Sequence, residues 1–255
     1  MKSLVIVGGA GRMGQALAEG LSALGYQLVA LIDVHEPRDL FGALYASSLD
    51  ALDESSVDVV IDFSSPEGVV SSATWCADHG VALLVGTTGL TKDQREALAQ
   101  AATRVGVVVA TNFSIGAVLS ERFSAMAAPY FDRVEIIELH HDKKVDAPSG
   151  TSITTATGIA EARRAAGQSP LSDPTTRHTV DGARGADVVD GIKIHSVRLP
   201  GLVAHQEVLF GAPGEGLTIR HDSFDRQSFV HGVALAVEHI DAAPQFVEGI
   251  SSFIS

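Results

Sequence analysis

Through the first half of the chain, short β-branched runs alternate with stretches whose apolar residues recur at helical spacing. That alternation predicts βαβ units and a parallel sheet, because a strand covered on both faces reads as an unbroken apolar run. Strands are expected over 4–7, 28–32, 57–63, 81–85 and 107–110. Met13, Ala16, Leu17, Gly20, Leu21 and Leu24 mark a first helix, with Gly25 where a C-terminal cap would sit. A second helix starts near Pro66 and stops at Gly80, and Thr91 caps a third that runs to about Thr103. The stretch from His35 to Ser56 fits neither period, leaving room for a short strand inside it.

Near Asn112 the pattern changes. A helical stretch from Gly116 to Pro129 is followed by a strand over 134–139 and a helix over 152–165. A loop rich in Ser, Pro, Thr, Asp and Gly then occupies 167–191. Three strands, over 192–199, 203–210 and 217–222, come next with no helix between them. This reads as an antiparallel meander in an α+β domain. Phe229, Val230, Val233, Ala234, Val237 and Ile240 form one face of a closing helix. The expected fold is therefore α/β: an N-terminal doubly wound parallel sheet over 1–112 and a C-terminal α+β domain with a mainly antiparallel open sheet over 113–222. The segment 223–255 is expected to be helical and to pack back on the first domain.

Composition narrows the function classes. The chain has 255 residues, 45% of them hydrophobic and 19% charged, with a formal net charge of −13. An acidic surface repels phosphate backbones, so no nucleic-acid partner is expected. No apolar run approaches the roughly 20 residues that a membrane span needs, and the first residues carry too short an apolar stretch for a signal peptide. A cytoplasmic location is the expectation. Cys76 is the single cysteine, which rules out an internal disulfide and a cysteine-based zinc site.

Against that acidic background two motifs carry chemistry. Gly9-Ala10-Gly11-Arg12-Met13-Gly14 fits G-x-G-x-x-G, is preceded by Gly8, follows an expected strand and opens an expected helix. Such a loop lets backbone approach a pyrophosphate and aims helix N–H groups at it, the Rossmann arrangement for a dinucleotide. Asp33 closes the second strand, where a carboxylate can accept from ribose hydroxyls. A plain turn with a capping aspartate would use the same residues. A carboxylate at Asp33 followed by Val34 disfavours a 2′-phosphate, although Arg12 and Arg38 could compensate. NADH is favoured, with NADPH open. Gly86-Thr87-Thr88-Gly89 and Thr111-Asn112-Phe113-Ser114 also follow strand ends, where they suit a nicotinamide ribose and carboxamide or ordinary turns.

The second motif is His140-His141-Asp142-Lys143-Lys144-Val145-Asp146-Ala147-Pro148-Ser149-Gly150-Thr151. Two histidines and two lysines in an acidic chain suggest an anionic ligand with proton chemistry, and a solvated basic strand end would use the same residues. Ser149, Gly150 and Thr151 fall near a helix start, whose N–H groups and hydroxyls suit a carboxylate. Asp146 and Ser149 read equally as loop or cap residues, and for Asp146 that is the favoured reading. Adjacent strand residues face opposite ways, so His140 and His141 do not chelate one ion, and no metal is expected.

These motifs, with Val60-Ile61-Asp62-Phe63, Ser196-Val197-Arg198, His205-Gln206-Glu207-Val208 and Arg220-His221-Asp222, closely resemble the dihydrodipicolinate reductase family. The family, also called 4-hydroxy-tetrahydrodipicolinate reductase, serves lysine and diaminopimelate synthesis, and the resemblance spans nearly the whole chain. From Ala183 to Asp222 its style is actinobacterial. The resemblance implies NAD(P)H-dependent reduction of 4-hydroxy-tetrahydrodipicolinate, with a small dicarboxylate as substrate and a homotetramer as the assembly. It implies that His140 gives or takes a proton, that Lys144 donates one, and that His141, Ser149, Gly150 and Thr151 bind substrate. It assigns the dinucleotide to Gly8, Gly9, Ala10, Gly11, Arg12, Met13, Gly14, Asp33, Gly86, Thr87, Thr88, Ala110, Thr111, Asn112 and Phe113. Thr111 stands where many members have proline, and Val34 where some have arginine. The rivals are another two-domain dehydrogenase, for instance one acting on an amino acid, and a non-catalytic NAD(H)-sensing regulator.

Overall fold

In the computed structural model, which describes residues 2–254, seven parallel strands form the first of two sheets. They are β1 (Ser3–Val7), β2 (Gln27–Ile32), β3 (Leu44–Ala46), β4 (Val59–Asp62), β5 (Ala82–Val85), β6 (Gly106–Val109) and β12 (Gln245–Glu248). Their order across the sheet is β12-β6-β5-β4-β1-β2-β3. Helices α1 (Arg12–Ala23), α2 (Pro66–His79), α3 (Lys92–Ala101) and α6 (Val230–His239) belong to the same unit, which comprises the chain up to Ile115 and from Arg226 onward. β4, β5 and β6 are buried at every position, as strands covered on both faces must be. Local chemistry sets the helix ends. Ser65 caps α2 by accepting from the Gly68 N–H, Pro66 follows it, and Gly80 closes the helix at φ +70°. Thr91 and Gln94 form a full capping box on α3.

The ambiguous stretch after His35 does hide a strand, β3, which pairs with β2. β12 was not expected. It adds in parallel to β6, so the last segment of the chain is not purely helical. Its four residues, Gln-Phe-Val-Glu, are too short a run to stand out by period.

The second unit, Gly116–Asp225, holds α4 (Ile115–Ala127) from its second residue on, β7 (Arg133–His140), α5 (Gly150–Ala165), β8 (Ala186–Val189), β9 (Ile192–Arg198), β10 (Ala204–Ala212) and β11 (Glu215–Ser223). Its five-stranded sheet runs β11-β10-β7-β9-β8. The meander read from the sequence is therefore wrong. β7 lies between β9 and β10, antiparallel to β10 and parallel to β9, and only the β10–β11 turn joins neighbours as expected. Val134 and Ile136 explain why β7 takes the centre, since both are buried against α5 with Ile194, Val208, Ile159 and Ala156. β8 lies within the loop that the sequence pattern left unstructured. α5 starts at Gly150, because Ser149 caps it through the Ser152 N–H.

Candidate active site

In the first unit the strand order reverses at β1, which pairs with β2 on one side and β4 on the other. Ligands of open α/β sheets bind at that reversal, outside the carboxyl ends of the strands. A cleft of about 550 Å³ lies there, lined by Gly8, Gly11, Asp33 and Val34 on one side and by Phe63, Ser64 and Ser65 on the other. The glycines have separate physical reasons. Gly8 is left-handed at φ +84°, and a Cβ on it would sit 2.5 Å from the Phe63 carbonyl oxygen. A Cβ on Gly14 would come within 2.1 Å of the Gly8 carbonyl oxygen, so helix and loop pack backbone to backbone. The Gly8 and Gly9 N–H groups donate to the Ile32 carbonyl at 2.8 and 3.0 Å, which seats the loop on β2.

Gly11 is the N-cap of α1 and supplies no side chain, and the first turn holds no acid. The N–H groups of Arg12, Met13 and Gly14 therefore open the helix with its partial positive charge uncompensated, a fit for a pyrophosphate. Asp33 accepts from the Ala10 N–H at 2.9 Å and the His35 N–H at 3.2 Å, which fixes its carboxylate at the cleft. These residues fit a dinucleotide.

The loop after β5 is anchored on a buried carboxylate that was not singled out as functional in the sequence. Asp62, fully buried at the end of β4, accepts from the Ser64 N–H (3.0 Å), the Ser64 hydroxyl (2.7 Å), the Ser72 hydroxyl (2.6 Å) and the Thr87 hydroxyl (2.9 Å). Thr87 thus spends its hydroxyl on the scaffold, while Thr88 and Thr111 are exposed. Gly86 packs against the Phe63 ring. The ring of Phe113 is fully buried, 5.6 Å from that of Phe63, and Ala110 is buried too, so backbone is what these two offer a ligand. The Asn112 side chain accepts from the Ser114 N–H and shapes the turn.

In the second unit the polar site grows out of the core. Along β7 the residues facing α5 run Val134, Ile136, Glu138, His140, so one face turns from apolar to charged in two steps. Glu138 is fully buried, yet every part of its carboxylate is engaged. Arg198 Nη2 donates to Oε1 at 2.8 Å and Nη1 to Oε2 at 2.9 Å, while His140 Nδ1 bonds to Oε2. Burial alone would raise the Glu138 pKa, but hydrogen bonds from Arg198, Ser196 and His140 hold it below the usual carboxylate range. For His140 burial dominates and lowers the pKa. Glu138 pulls it back up by hydrogen bond and charge, and Lys144 and Arg198 push it down.

Lys144 lies on the loop after β7, where its ammonium contacts both carboxylate oxygens of Asp146 at 2.8 Å. That partnership holds Asp146 below the usual range and gives this loop residue an ion partner that its sequence context did not show. Arg198 Nη2 also donates to the Asp146 carbonyl at 2.7 Å, tying this loop to β9. His141 is exposed on the same loop, which ends in a cis Ala147–Pro148 bond. Ser149 is buried as the α5 N-cap, while Gly150 is exposed with no atom within 4 Å of where its Cβ would be. The helix start thus opens onto free space, and the first turn of α5 has no acid. Among the described residues, no group of three or more His, Cys, Asp or Glu side chains could hold a metal.

The structure thus gathers His140, His141, Lys144, Ser149, Gly150 and Thr151 at one end of the second unit. It gathers the glycine loop and Asp33 at the cleft of the first. Residues 2–113 match the family model for the N-terminus of dihydrodipicolinate reductase, and residues 116–253 match the model for its C-terminus. The chain belongs to the dihydrodipicolinate reductase family. It is 46% identical to the 4-hydroxy-tetrahydrodipicolinate reductase of Nocardia farcinica over 253 residues, 98% of this chain and 97% of that one. To the Corynebacterium diphtheriae reductase it is 45% identical over 238 residues, 92% of this chain and 91% of that one. A solved dipicolinate-bound dihydrodipicolinate reductase from Paenisporosarcina sp. TG-14 covers 99% of both chains with a TM-score of 0.86 at 38% identity.

Within this dihydrodipicolinate reductase family fold, sequence reasoning passed over the roles of Asp62, Glu138, Arg198 and Asp146. Glu138 had left a trace, an acid at a core-phase position of an otherwise apolar strand face. Arg198 lies 60 positions from Glu138, and only strand pairing brings them together.

Proposed function

We propose that this chain reduces 4-hydroxy-tetrahydrodipicolinate to tetrahydrodipicolinate, with loss of water, in lysine and diaminopimelate synthesis. The observation that carries the reading is the end of β7 and the start of α5. An imidazole, an ammonium group and the first N–H groups of a helix with no acid in its first turn lie there, in a chain whose two halves both match one reductase family. That combination suits a dianion that must exchange protons.

Gly150 and Thr151 hold one carboxylate through their N–H groups and the Thr151 hydroxyl, with Ser149 keeping the helix start in place. His141 and Lys144 supply positive charge, and Lys144 leaves Asp146 to meet the substrate. The net reaction consumes one proton as the hydroxyl departs as water, which Lys144 donates while His140 gives or takes a proton. A reduced nicotinamide dinucleotide, when bound at the glycine loop, supplies the hydride. Gly8, Gly9, Ala10, Gly11, Arg12, Met13 and Gly14 cradle its pyrophosphate, and the Gly86–Thr88 and Ala110–Phe113 loops shape the rest of its seat.

NADH is the preferred form in this reading. The cleft lining contains two carboxylates, Asp33 and Asp50, and no Lys or Arg, so a 2′-phosphate would meet like charge. The reading extends to a homotetramer formed through the second sheet, whose face away from α5 leaves Ile137, Leu139, Val197 and Leu209 half-buried. The test follows the absorbance of reduced nicotinamide after addition of enzymatically made 4-hydroxy-tetrahydrodipicolinate, with NADH and NADPH in parallel. Rapid consumption is expected, faster with NADH. No consumption with either nucleotide refutes the activity.

A further inference from the structure

We infer that Glu138 is a positioning residue that decides which nitrogen of His140 handles protons, and that Arg198 holds Glu138 in that role. The inference rests on the proton-handling role proposed for His140. Glu138 is a fully buried carboxylate in a strand face that is otherwise apolar up to that point. Carboxylates are rarely placed so without a partner, because desolvation disfavours the charge. Here the partner is specific. Arg198 meets both oxygens, at 2.8 and 2.9 Å, in the two-point geometry that planar guanidinium offers a carboxylate. Register places the three residues together: β7 pairs with β9 so that Glu138 faces Ser196 and His140 faces Arg198.

The consequence for His140 follows from hydrogen-bond inventory. An ionised carboxylate can only accept, so the hydrogen on the shared contact belongs to His140 Nδ1. Nε2 is then left as the working nitrogen, a lone-pair base in the neutral ring and a donor in the imidazolium. A carboxylate that fixes an imidazole tautomer and favours its protonated form is the logic of the Ser-His-Asp hydrolases, reached here on an unrelated fold. Arg198 serves a second end. Its Nη2 also donates to the Asp146 carbonyl at 2.7 Å, so one guanidinium couples the His140 strand to the loop that carries Lys144. The charged groups acting on His140 are Glu138 on its own strand, Arg198 on β9 and Lys144 on the loop. β10 faces it with Ala204, and the first turn of α5 adds no acid.

The test has an arm that needs neither substrate nor cofactor. Histidine labelled with ¹⁵N, with the His140 signals assigned through His140→Gln, is followed across pH in the full chain. The neutral His140 ring is expected to carry its proton on Nδ1. A wild-type ring protonated on Nε2 overturns the inference without any variant at Glu138. In Glu138→Gln the His140 titration midpoint is expected to move to lower pH, since the charge that favours imidazolium is gone. Turnover should fall roughly 10- to 100-fold while KM changes less than about threefold, and Glu138→Asp should recover part of the loss. The limb of the turnover profile that follows His140 should shift to lower pH with the midpoint. A folded Glu138→Gln enzyme with the wild-type His140 titration and turnover within about twofold overturns the inference. Failure of the wild-type chain to turn over the diacid substrate would instead remove the activity reading, and the ¹⁵N arm would still report on Glu138.

Discussion

The cleft of the first unit and the charged end of the second differ in what supplies their contacts. The first is built from backbone and absence: glycines that let two chain segments touch, an unblocked helix start and a carboxylate fixed by two N–H groups. The second is built from charged side chains brought together across strands and held by one another. A site of the first kind tolerates loss of almost any side chain but no added atom. One of the second kind keeps its stability when atoms are added where space is open but loses function when a single charge goes. The contrast follows from the ligands expected. A pyrophosphate needs only many N–H donors, whereas a reacting dianion needs groups that change protonation.

The sharpest test of that contrast is Lys144→Ala. Loss of a proton donor is expected to cut turnover at least about 100-fold, near 3 kcal/mol of barrier, with a much smaller effect on the thermal midpoint because the ion partner Asp146 is half-exposed and stays solvated without it. Steady-state turnover beside a melting curve checks it. Turnover within about threefold of wild type would mean that the second site does not work by side-chain charge.

Two glycine substitutions probe the other half of the comparison. Gly14→Ala puts a methyl 2.1 Å from the Gly8 carbonyl oxygen, so the loop must move. It should lower the thermal midpoint, with a cost of roughly 1–3 kcal/mol, and weaken NADH roughly 10- to 100-fold in a fluorescence titration. Gly150→Ala meets nothing within 4 Å, so stability should hold. Affinity for pyridine-2,6-dicarboxylate should still drop about tenfold if the methyl occupies the space proposed for the diacid. Equal stability losses in the two variants would erase the distinction between a packed glycine and an open one.

Much of this was legible in the sequence because it is local. The glycine loop, Asp33, the caps at Ser65 and Thr91 and the His140–Thr151 string all draw their meaning from neighbours a few positions away. The pairings that build the second sheet are not local. Three consecutive strand patterns looked like a meander because adjacency in sequence usually means adjacency in space, yet burial of Val134 and Ile136 puts β7 in the middle. The same rearrangement creates the Glu138–Arg198 contact, so the missed topology and the missed positioning residues are one oversight. Asp62 was missed for a different reason: its partners Ser72 and Thr87 come from α2 and from the loop after β5, and no local motif joins them.

A smaller effect is expected at Val34, 80% exposed at the rim of a cleft without cations. Val34→Arg adds a charge that can meet a 2′-phosphate, and should raise kcat/KM for NADPH about tenfold while leaving NADH within about twofold. Paired assays with the two nucleotides check it. An unchanged ratio would place the 2′ position away from residue 34.

The finest division between the two regions lies in a feature they share, a hydroxyl that caps a helix. Thr91 accepts from the Gln94 N–H at the start of α3, and Ser149 accepts from the Ser152 N–H at the start of α5. By capping alone, Thr91→Ala and Ser149→Ala should each cost about 1 kcal/mol, a drop of some 2–4 °C in the melting midpoint for a domain of this size. Ser149 is buried and also pairs its hydroxyl with that of Ser152 at 2.8 Å, so its variant should lie at the upper end of that range. The ligand readout should separate them. Ser149→Ala loosens the turn that presents the Gly150 and Thr151 N–H groups and should weaken pyridine-2,6-dicarboxylate by a factor of about two to five, whereas Thr91→Ala should leave it unchanged. If both variants lost stability alike and neither touched diacid affinity, the start of α5 would be an ordinary helix end, and the anion would have to be held by His141 and Lys144 alone.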